Sequence, residues 1–297
     1  MKIAEGCDRN CGFCAIPSFR GPQRSRDISS ILTEVEQLDV REVVLIAQDL
    51  ASYGKDRPEE LGAGSIVQLV RDVTKMTDWV RLLYLYPSDL SDDLIDAILE
   101  TKVPYFDLSL QHVSKPHLRR MRRWGDGQRF LERIERIRSL APHAAFRTNF
   151  IVGYPGETEE DFLETMRVVR ESRFATAYTF QYSIRPGTPA GEMENQIPKA
   201  VVQERFERLH KLVNEIAFEE NQKLIGQTVE VLVANNEGRK DAATNRLSGR
   251  ARDGRLVHFS LPEGVLAPRP GDLVTVKIDE AGPFHLIADP QSAAEIS

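Results

Sequence analysis

Long hydrophobic runs are absent from this 297-residue sequence. No stretch approaches the roughly 18 uninterrupted apolar residues of a membrane-spanning helix, and the opening residues MKIAE form no apolar signal region. We therefore expect a cytoplasmic protein that has no membrane partner. The net charge of −6 is mild, so it indicates neither bulk attraction to nucleic acid nor acidic disorder. Internal repeats and low-complexity tracts are missing as well.

Cysteine is equally scarce. The sequence has three, Cys7, Cys11 and Cys14, and all of them lie within eight residues. An odd, clustered set without an export signal argues against a disulfide framework. The cysteines therefore predict a metal or cluster site.

The first 190 residues alternate strand-like and helix-like segments. Strands are predicted at 2–5, 43–47, 80–86, 105–110, 146–152 and 178–182, and helices at 28–38, 66–76, 94–100, 130–140 and 162–170. The strands are almost continuously hydrophobic, as buried parallel strands are. About six βα units are too few for a closed eight-stranded barrel. We predict an α/β fold, an open and curved (β/α)6 partial barrel.

The pattern changes after a long amphipathic helix predicted from residue 199 to about 225. Short strands, separated by Gly, Pro and Asn turns, are predicted at 229–234, 247–251, 256–259, 273–278 and 285–288. They indicate a small all-β barrel of oligonucleotide-binding-like shape. We therefore divide the chain into a core with its linking helix at 1–226, a barrel at 227–290 and a tail at 291–297.

The cysteine loop, Cys7-x3-Cys11-x2-Cys14, directly follows the first predicted strand. Three thiolates can bind three irons of a 4Fe-4S cube and leave the fourth without a protein ligand, as a catalytic cluster needs. A structural zinc with three cysteines and a histidine is the alternative, and His112 is the one histidine at a predicted strand end. Spacing and placement favour the cluster.

This spacing, with the aromatic Phe13 before the last cysteine, resembles the signature of the radical S-adenosylmethionine (radical SAM) superfamily. In that superfamily the cofactor's amino and carboxylate groups chelate the fourth iron. An electron from the cluster then cleaves the sulfonium and yields a 5′-deoxyadenosyl radical. The resemblance implies that Cys7, Cys11 and Cys14 are both metal ligands and catalytic residues, and that Phe13 packs beside the adenine.

Glutamines end three further predicted strands: Gln48, Gln111 and Gln181. Because active sites of parallel barrels lie at the carboxyl ends of strands, we predict that they bind the cofactor. Polar strand ends are common, so each glutamine also fits a simple strand cap. His112, beside Gln111, suits a proton donor or a substrate contact.

The segment 153–158 follows a strong strand and opens a helix at a capping-box pattern. Glycine lets backbone approach a ligand closely, so we predict that Gly153, Gly156 and Glu157 contact the methionyl or ribose part of the cofactor. A tight strand-to-helix turn without a ligand is the alternative. On the first interpretation, a β-branched residue at Gly153 weakens cofactor binding.

Two runs of arginine stand out. One follows the cysteine loop (Arg20, Arg24, Arg26), and the other crowds a short helix (Arg119, Arg120, Arg122, Arg123). Such runs are usually solvated faces, although they also suit RNA phosphates. We predict a functional role for the first run and a solvated face for the second.

Over its whole length the chain resembles the methylthiotransferases. The motifs that carry the resemblance are Gly6-Cys7-x3-Cys11-x2-Cys14, Gln48-Asp49-x3-Tyr53-Gly54, Phe150-Ile151-Val152-Gly153-Tyr154-Pro155-Gly156-Glu157-Thr158 and Pro186-Gly187-Thr188. Residues 227–289 resemble the family's TRAM domain. The resemblance implies that one S-adenosylmethionine supplies a methyl group and a second is cleaved to the radical. A methylthio group then replaces a hydrogen on an unactivated carbon, with a reductant such as flavodoxin as electron donor.

The family also uses an auxiliary 4Fe-4S cluster, bound by three cysteines of an N-terminal domain. This sequence has no cysteine besides the first three, so it cannot ligate that second cluster. We expect the chain to be a fragment or to need a missing partner. A non-catalytic fragment that binds RNA or protein is the alternative from another functional class.

The resemblance leaves two substrates as alternatives. Segments 81–87 and 110–112 resemble the RimO type, which modifies an aspartate of a small-subunit ribosomal protein. Segments 182–188 and 247–252 resemble the MiaB type, which modifies isopentenyl-adenosine beside the tRNA anticodon. From residue 227 onward there are eight Lys/Arg and ten Asp/Glu, which favours a basic protein over RNA, although Arg246, Arg250, Arg252 and Arg255 suit a local basic patch. We predict the ribosomal protein as preferred partner and tRNA as the alternative.

Overall fold

The computed structural model describes residues 1–62, 64–235, 246–290, 292 and 295–296. Within these ranges no helix has the length and apolar character needed to cross a membrane. The strands of the first part are β1 (Ala4–Glu5), β2 (Arg24–Ser25), β3 (Glu42–Leu45), β4 (Trp79–Leu82), β5 (Tyr105–Gln111), β6 (Ala145–Val152) and β7 (Thr176–Gln181). The short β2, which the sequence did not predict, pairs antiparallel with β1.

The other strands follow one another in chain order as a parallel sheet. β3 pairs with β4, and β5, β6 and β7 pair in turn. Parallel bridges join Lys2 to Ile46 and Leu85 to Leu108, which connects β1 to β3 and β4 to β5. No pairing among the described residues joins β7 back to β1, so the predicted open six-stranded α/β barrel is confirmed.

Helices follow the strands and cover the sheet: α1 (Ile16–Arg20), α2 (Ile28–Leu38), α3 (Pro58–Leu61), α4 (Ser65–Thr74), α5 (Asp92–Glu100), α6 (Lys115–Arg120), α7 (Gly127–Leu140), α8 (Glu159–Ser172) and α9 (Lys199–Gln222). Their apolar stripes explain why they pack. α4, for example, buries Ile66, Leu69, Val70 and Val73, which share one helix face. These side chains belong to one large hydrophobic core.

The last part of the chain forms the predicted barrel from β8 (Thr228–Val233), β9 (Leu247–Ala251), β10 (Leu256–Phe259), β11 (Leu273–Ala281) and β12 (Leu286–Ala288). Successive pairings β8–β9–β10–β12–β11–β8 close the ring around a second core. In the predicted tail, β13 (Glu295–Ile296) pairs with β11, while 291, 293, 294 and 297 lie outside the described residues. The domain boundary at 226/227 stays a prediction.

The barrel packs against the amino-terminal ends of β4 and β5, opposite to the ends that face the cysteines. Leu273 shares a hydrophobic cluster with Trp79, Val103 and Tyr105. Arg81 donates to the carbonyl oxygens of Ala251 at 3.4 Å and Arg252 at 3.1 Å. Its guanidinium also pairs with Glu42 at 2.9 Å. Core and barrel therefore share buried polar and apolar contacts.

Replacing Arg81 by methionine is expected to lower the free energy of unfolding by about 2–3 kcal/mol. The change leaves the Glu42 carboxylate and two carbonyl oxygens without their buried donor. Urea denaturation measures it. Arg71→Met is the control, because Arg71 pairs with Glu100 at the surface, where such a pair contributes about 0–1 kcal/mol. Equal losses in the two variants would contradict a buried role for Arg81.

Candidate active site

A cavity of about 770 Å³ lies at the carboxyl ends of the parallel strands. All three cysteines line it, together with side chains from the end of every strand of the parallel sheet. Its volume is in the range of small-molecule and cofactor pockets. Among the residues that line it are Phe13, Gln48, Tyr84, Tyr86, Gln111, Arg123, Arg147, Ile151, Gln181 and Tyr182.

Backbone hydrogen bonds hold the cysteine loop in place. Cys7 N–H donates to Gly21 O at 3.1 Å, Gly12 N–H to Met121 O at 2.9 Å, and Ala190 N–H to Gly12 O at 2.8 Å. A Cβ on Gly12 would lie 2.8 Å from the carbonyl oxygen of Arg120. Only glycine therefore fits between Cys11 and Phe13 while the loop stays this close to the segment after α6.

Two of the three cysteine sulfurs accept hydrogen bonds from N–H groups of arginines. Arg9 N–H donates to Cys7 Sγ at 3.4 Å, and Arg123 Nη1 donates to Cys11 Sγ at 3.4 Å. Burial raises the pKa of the Cys7 thiol. In the part of the chain that the structure describes, no three His, Cys, Asp or Glu side chains converge on one ion. A cube, in contrast, spreads three thiolates over three irons.

Unpaired polar atoms point to a second, organic ligand in the same cavity. Gln48 Oε1, Asp49 Oδ1, Arg147 Nε and Tyr182 OH are buried without a hydrogen-bond partner, and all four side chains line the cavity. Buried polar atoms are nearly always paired. The four atoms therefore offer two acceptors and two donors to a polar ligand.

The glutamines predicted at the strand ends all line this cavity. Gln111 has a φ of +70°, which is unusual for a residue with a side chain and is typical of functional sites. The β5–β6 register shifts between Leu108 and Gln111, which lets the chain turn there. Gln181 Nε2 donates to Gln203 Oε1 at 2.6 Å. Gln48, Gln111 and Gln181 thus lie with Phe13 and the cysteines, and their contacts to a cofactor stay predictions.

Gly153, Gly156 and Glu157 lie behind the cavity rather than along its wall. A Cβ on Gly153 would lie 2.4 Å from Val202 Cγ2, and one on Gly156 would lie 2.2 Å from Asn195 Nδ2. The packing of neighbouring segments therefore explains both glycines. Gly153 N–H donates to Glu157 Oε2 at 2.8 Å inside the protein. The cofactor role predicted for these three residues gains no support from this placement and stays a prediction.

His112 is buried and does not line the cavity. Its Nδ1 accepts a hydrogen bond from Ser114 N–H at 3.0 Å, so its Nε2 carries the hydrogen and faces Glu157 Oε1 at 3.1 Å. Both ring nitrogens are thus engaged away from the cysteines. The predicted role as a proton donor or substrate contact, and the alternative role as a zinc ligand, gain no support from this placement and stay predictions.

One arginine of the two runs lines the cavity, and Arg119, Arg120 and Arg122 of the second run are exposed. The functional role predicted for the first run stays a prediction. Arg20, Arg24 and Arg26 contact Glu5 and nearby backbone carbonyls and do not line the cavity. In the second run, Arg123 lines the cavity beside Cys11. The Arg123 side chain points into the cavity because the chain turns after α6, and the sequence pattern does not predict that turn. Arg147 and Tyr86 were missed as well, because they lie inside or after hydrophobic strands.

Comparisons with known proteins agree with this geometry. The Radical SAM superfamily model matches residues 1–169. Two solved structures with a TM-score of 0.52 share the fold at low identity. One is a radical S-adenosylmethionine methyltransferase from Kitasatospora setae, at 14% identity over 64% of this chain and 38% of that chain. The other is coproporphyrinogen III oxidase from Escherichia coli, at 16% over 71% of this chain and 51% of that chain.

Much more similar relatives are named tRNA-2-methylthio-N(6)-dimethylallyladenosine synthase. The protein from Streptomyces coelicolor is 49% identical over 97% of this chain and 58% of its own length. The one from Mycolicibacterium paratuberculosis is 50% identical over 97% of this chain and 57% of its own length. The chain thus spans a little over half of the curated relatives it matches. Together with the cysteine-lined cavity at the strand ends, the family match shows that this chain belongs to the radical SAM superfamily, whose members use a 4Fe-4S cluster and S-adenosylmethionine.

Proposed function

We propose that this chain is the radical-generating and substrate-binding part of a methylthiotransferase that modifies N6-dimethylallyladenosine in tRNA. The relatives that carry this activity in their names are 46–50% identical to it. The observation that carries the proposal is the single cavity that holds all three cysteines and four unpaired polar atoms. All three cysteines serve one cluster, so we expect cofactor cleavage, without sulfur insertion, from this chain alone.

The predicted preference for a ribosomal protein is not supported, since the similar relatives are named for a tRNA modification. Residues of both competing kinds of segment line the cavity. Of the segments that suggested the ribosomal protein, Tyr84, Tyr86 and Gln111 line the cavity, while Arg81 contacts the barrel and His112 is buried behind the cavity. Tyr182, Ser183 and Arg185, from a segment that suggested tRNA, line the cavity.

The preference for a ribosomal protein also depended on the net charge of the barrel, which is a poor guide to the substrate. Of the arginines in the expected basic patch, Arg252 pairs with Glu230 and its guanidinium lies 5.1 Å from the Trp79 ring of the core. Arg255 pairs with Asp253 and donates to Asn221 of α9 at 2.6 Å. Both side chains hold the barrel to the core. The net charge of the barrel therefore says little about what enters the cavity.

The residues that line the cavity have different roles in this proposal. Cys7, Cys11 and Cys14 would hold the cluster, which supplies the electron that cleaves S-adenosylmethionine. Gln48 Oε1 would accept a hydrogen bond from a polar group of that cofactor, and Tyr182 OH would donate one to it. Phe13, which lines the cavity, would supply an apolar wall beside the bound cofactor.

The mouth of the cavity carries exposed aromatic side chains. Tyr84, Tyr178 and Phe180 are 45%, 47% and 51% exposed, and each of them lines the cavity. The Arg147 guanidinium lies 4.7 Å from the Tyr178 ring and pairs with Asp107 at 3.0 Å, and Arg185 adds a positive charge. Exposed aromatic rings stack on unpaired bases, and arginine contacts phosphates. These contacts support an RNA substrate whose base is turned out of its stem-loop.

Replacing Phe180 by alanine is expected to weaken binding of a dimethylallylated anticodon stem-loop by about 1–3 kcal/mol, because one stacked base loses its partner. Fluorescence anisotropy of a labelled stem-loop measures the change. Leu163→Ala is the control, since Leu163 is also exposed, at 48%, but lies on α8. Equal affinities of the two variants would contradict stacking at the mouth.

Two assays of the anaerobically reconstituted chain test the proposal as a whole. The first compares binding of the dimethylallylated stem-loop with binding of the ribosomal-protein loop across a salt series. We expect tighter binding of the stem-loop and a decline of its affinity with salt. The second measures 5′-deoxyadenosine formed from S-adenosylmethionine. Preference for the peptide overturns the substrate, and absence of 5′-deoxyadenosine favours a non-catalytic binding fragment.

A further inference from the structure

Arg123 contacts the cysteine loop in a way that the function above does not use. Its Nη1 donates to Cys11 Sγ at 3.4 Å, and its Nη2 donates to the carbonyl oxygen of Ser109 at the end of β5. The segment that carries it is fixed, because Arg123 N–H donates to Leu118 O at 2.7 Å. The guanidinium is therefore held against one of the three sulfurs.

A second arginine in the same place has a different electrostatic role. The guanidinium carbons of Arg9 and Arg123 lie 3.9 and 4.2 Å from the centre of the Tyr86 ring, so the ring is flanked by two cations. Arg9 pairs with Asp49 at 2.6 Å and also with Asp89. Arg123 has no carboxylate within ion-pair distance in the described ranges. The positive charge of Arg123 is therefore not neutralised and is directed at Cys11.

We propose that Arg123 is a positioning residue that raises the reduction potential of the cluster held by Cys7, Cys11 and Cys14. When a low-potential reductant transfers one electron, the cluster becomes more negative. An adjacent cation and a hydrogen bond to a sulfur stabilise that reduced state more than the oxidised state. The inference rests on the cluster of the proposed function and is independent of the substrate.

The test is a redox titration of the reconstituted 297-residue chain with dithionite and mediators, followed by EPR. Because the sequence has three cysteines in all, the signal comes from one cluster. We expect Arg123→Met to lower the equilibrium constant for reduction by about tenfold, which is about 59 mV for one electron. Arg119→Met is the matched control, because it removes the same charge from an exposed position of α6 and should leave the potential unchanged.

Iron content and thermal unfolding show whether each variant is folded and loaded. If Arg123→Met takes up no cluster, Arg123→Gln, which keeps a donor for the Ser109 carbonyl, provides the same comparison with the same expected direction. A loaded variant whose potential equals that of Arg119→Met overturns the inference. So does a fall in S-adenosylmethionine affinity without a change of potential, which would make Arg123 a cofactor ligand. Absence of any cluster in the unmodified chain would instead overturn the proposed function.

Discussion

Replacing any one of Cys7, Cys11 and Cys14 by alanine is expected to reduce 5′-deoxyadenosine formation to the level of a protein-free control. Each thiolate is proposed to bind one iron of the cube, and all three cysteines line the same cavity. No other cysteine exists in the sequence to replace a lost ligand. Removing one ligand therefore removes the cluster and with it the electron that cleaves the cofactor.

The measurement is chromatography of the nucleoside product, alongside iron and sulfide content of each variant. Ser18→Ala is the control, because Ser18 follows the same loop, is exposed, and donates only to Ala15 O. Its yield should equal that of the unmodified chain. A cysteine variant that keeps both its iron and its yield would show that another group binds the cluster.

Replacing Glu157 by glutamine is expected to lower the free energy of unfolding by about 3–5 kcal/mol, the usual cost of breaking a buried ion pair. Glu157 is 4% exposed, and its partner Arg205 is 5% exposed. Their carboxylate and guanidinium lie 2.8 Å apart. The same carboxylate accepts hydrogen bonds from Gly153 N–H and His112 Nε2. Glutamine leaves the Arg205 cation buried without its countercharge.

Glu159 offers a matched control, because it pairs with the same Arg205 at 3.4 Å and with Arg208 at 2.8 Å but is 45% exposed. Glu159→Gln should cost less than about 1 kcal/mol. Urea denaturation compares the two variants, and equal losses would contradict the buried network. In folded Glu157→Gln, unchanged S-adenosylmethionine affinity would show that Glu157 acts in the fold and not on the cofactor.

The elements of the fold were largely predictable, since buried parallel strands and amphipathic helices have strong local patterns. The first and last residues of these strands and helices were less predictable. The strand predicted at 80–86 stops at Leu82, because Tyr84 adopts a φ of +65° that interrupts the extended backbone. The helices α1 and α3 have five and four residues, which is too short for a helical period to show.

The candidate site was predictable where its signal is local. The cysteine spacing and the glutamines that end strands depend on neighbouring residues alone. Gly153 shows where prediction from such local patterns fails. Asn149 and Ile151 of β6 line the cavity, so the period of two predicts that residue 153 does too. However, β6 ends at Val152, and Gly153, with a φ of +76°, turns the chain away. The position of the Arg123 side chain in the cavity likewise depends on a turn of the chain, the one after α6.

The most direct test of the cluster and cofactor site is the EPR spectrum of the reconstituted, dithionite-reduced chain with and without S-adenosylmethionine. We predict one 4Fe-4S cluster per chain, held by Cys7, Cys11 and Cys14. Its signal should change when the cofactor is added, because the cofactor binds the iron that has no protein ligand. A chain that binds zinc in place of iron, or a spectrum that saturating cofactor leaves unchanged, would contradict the account.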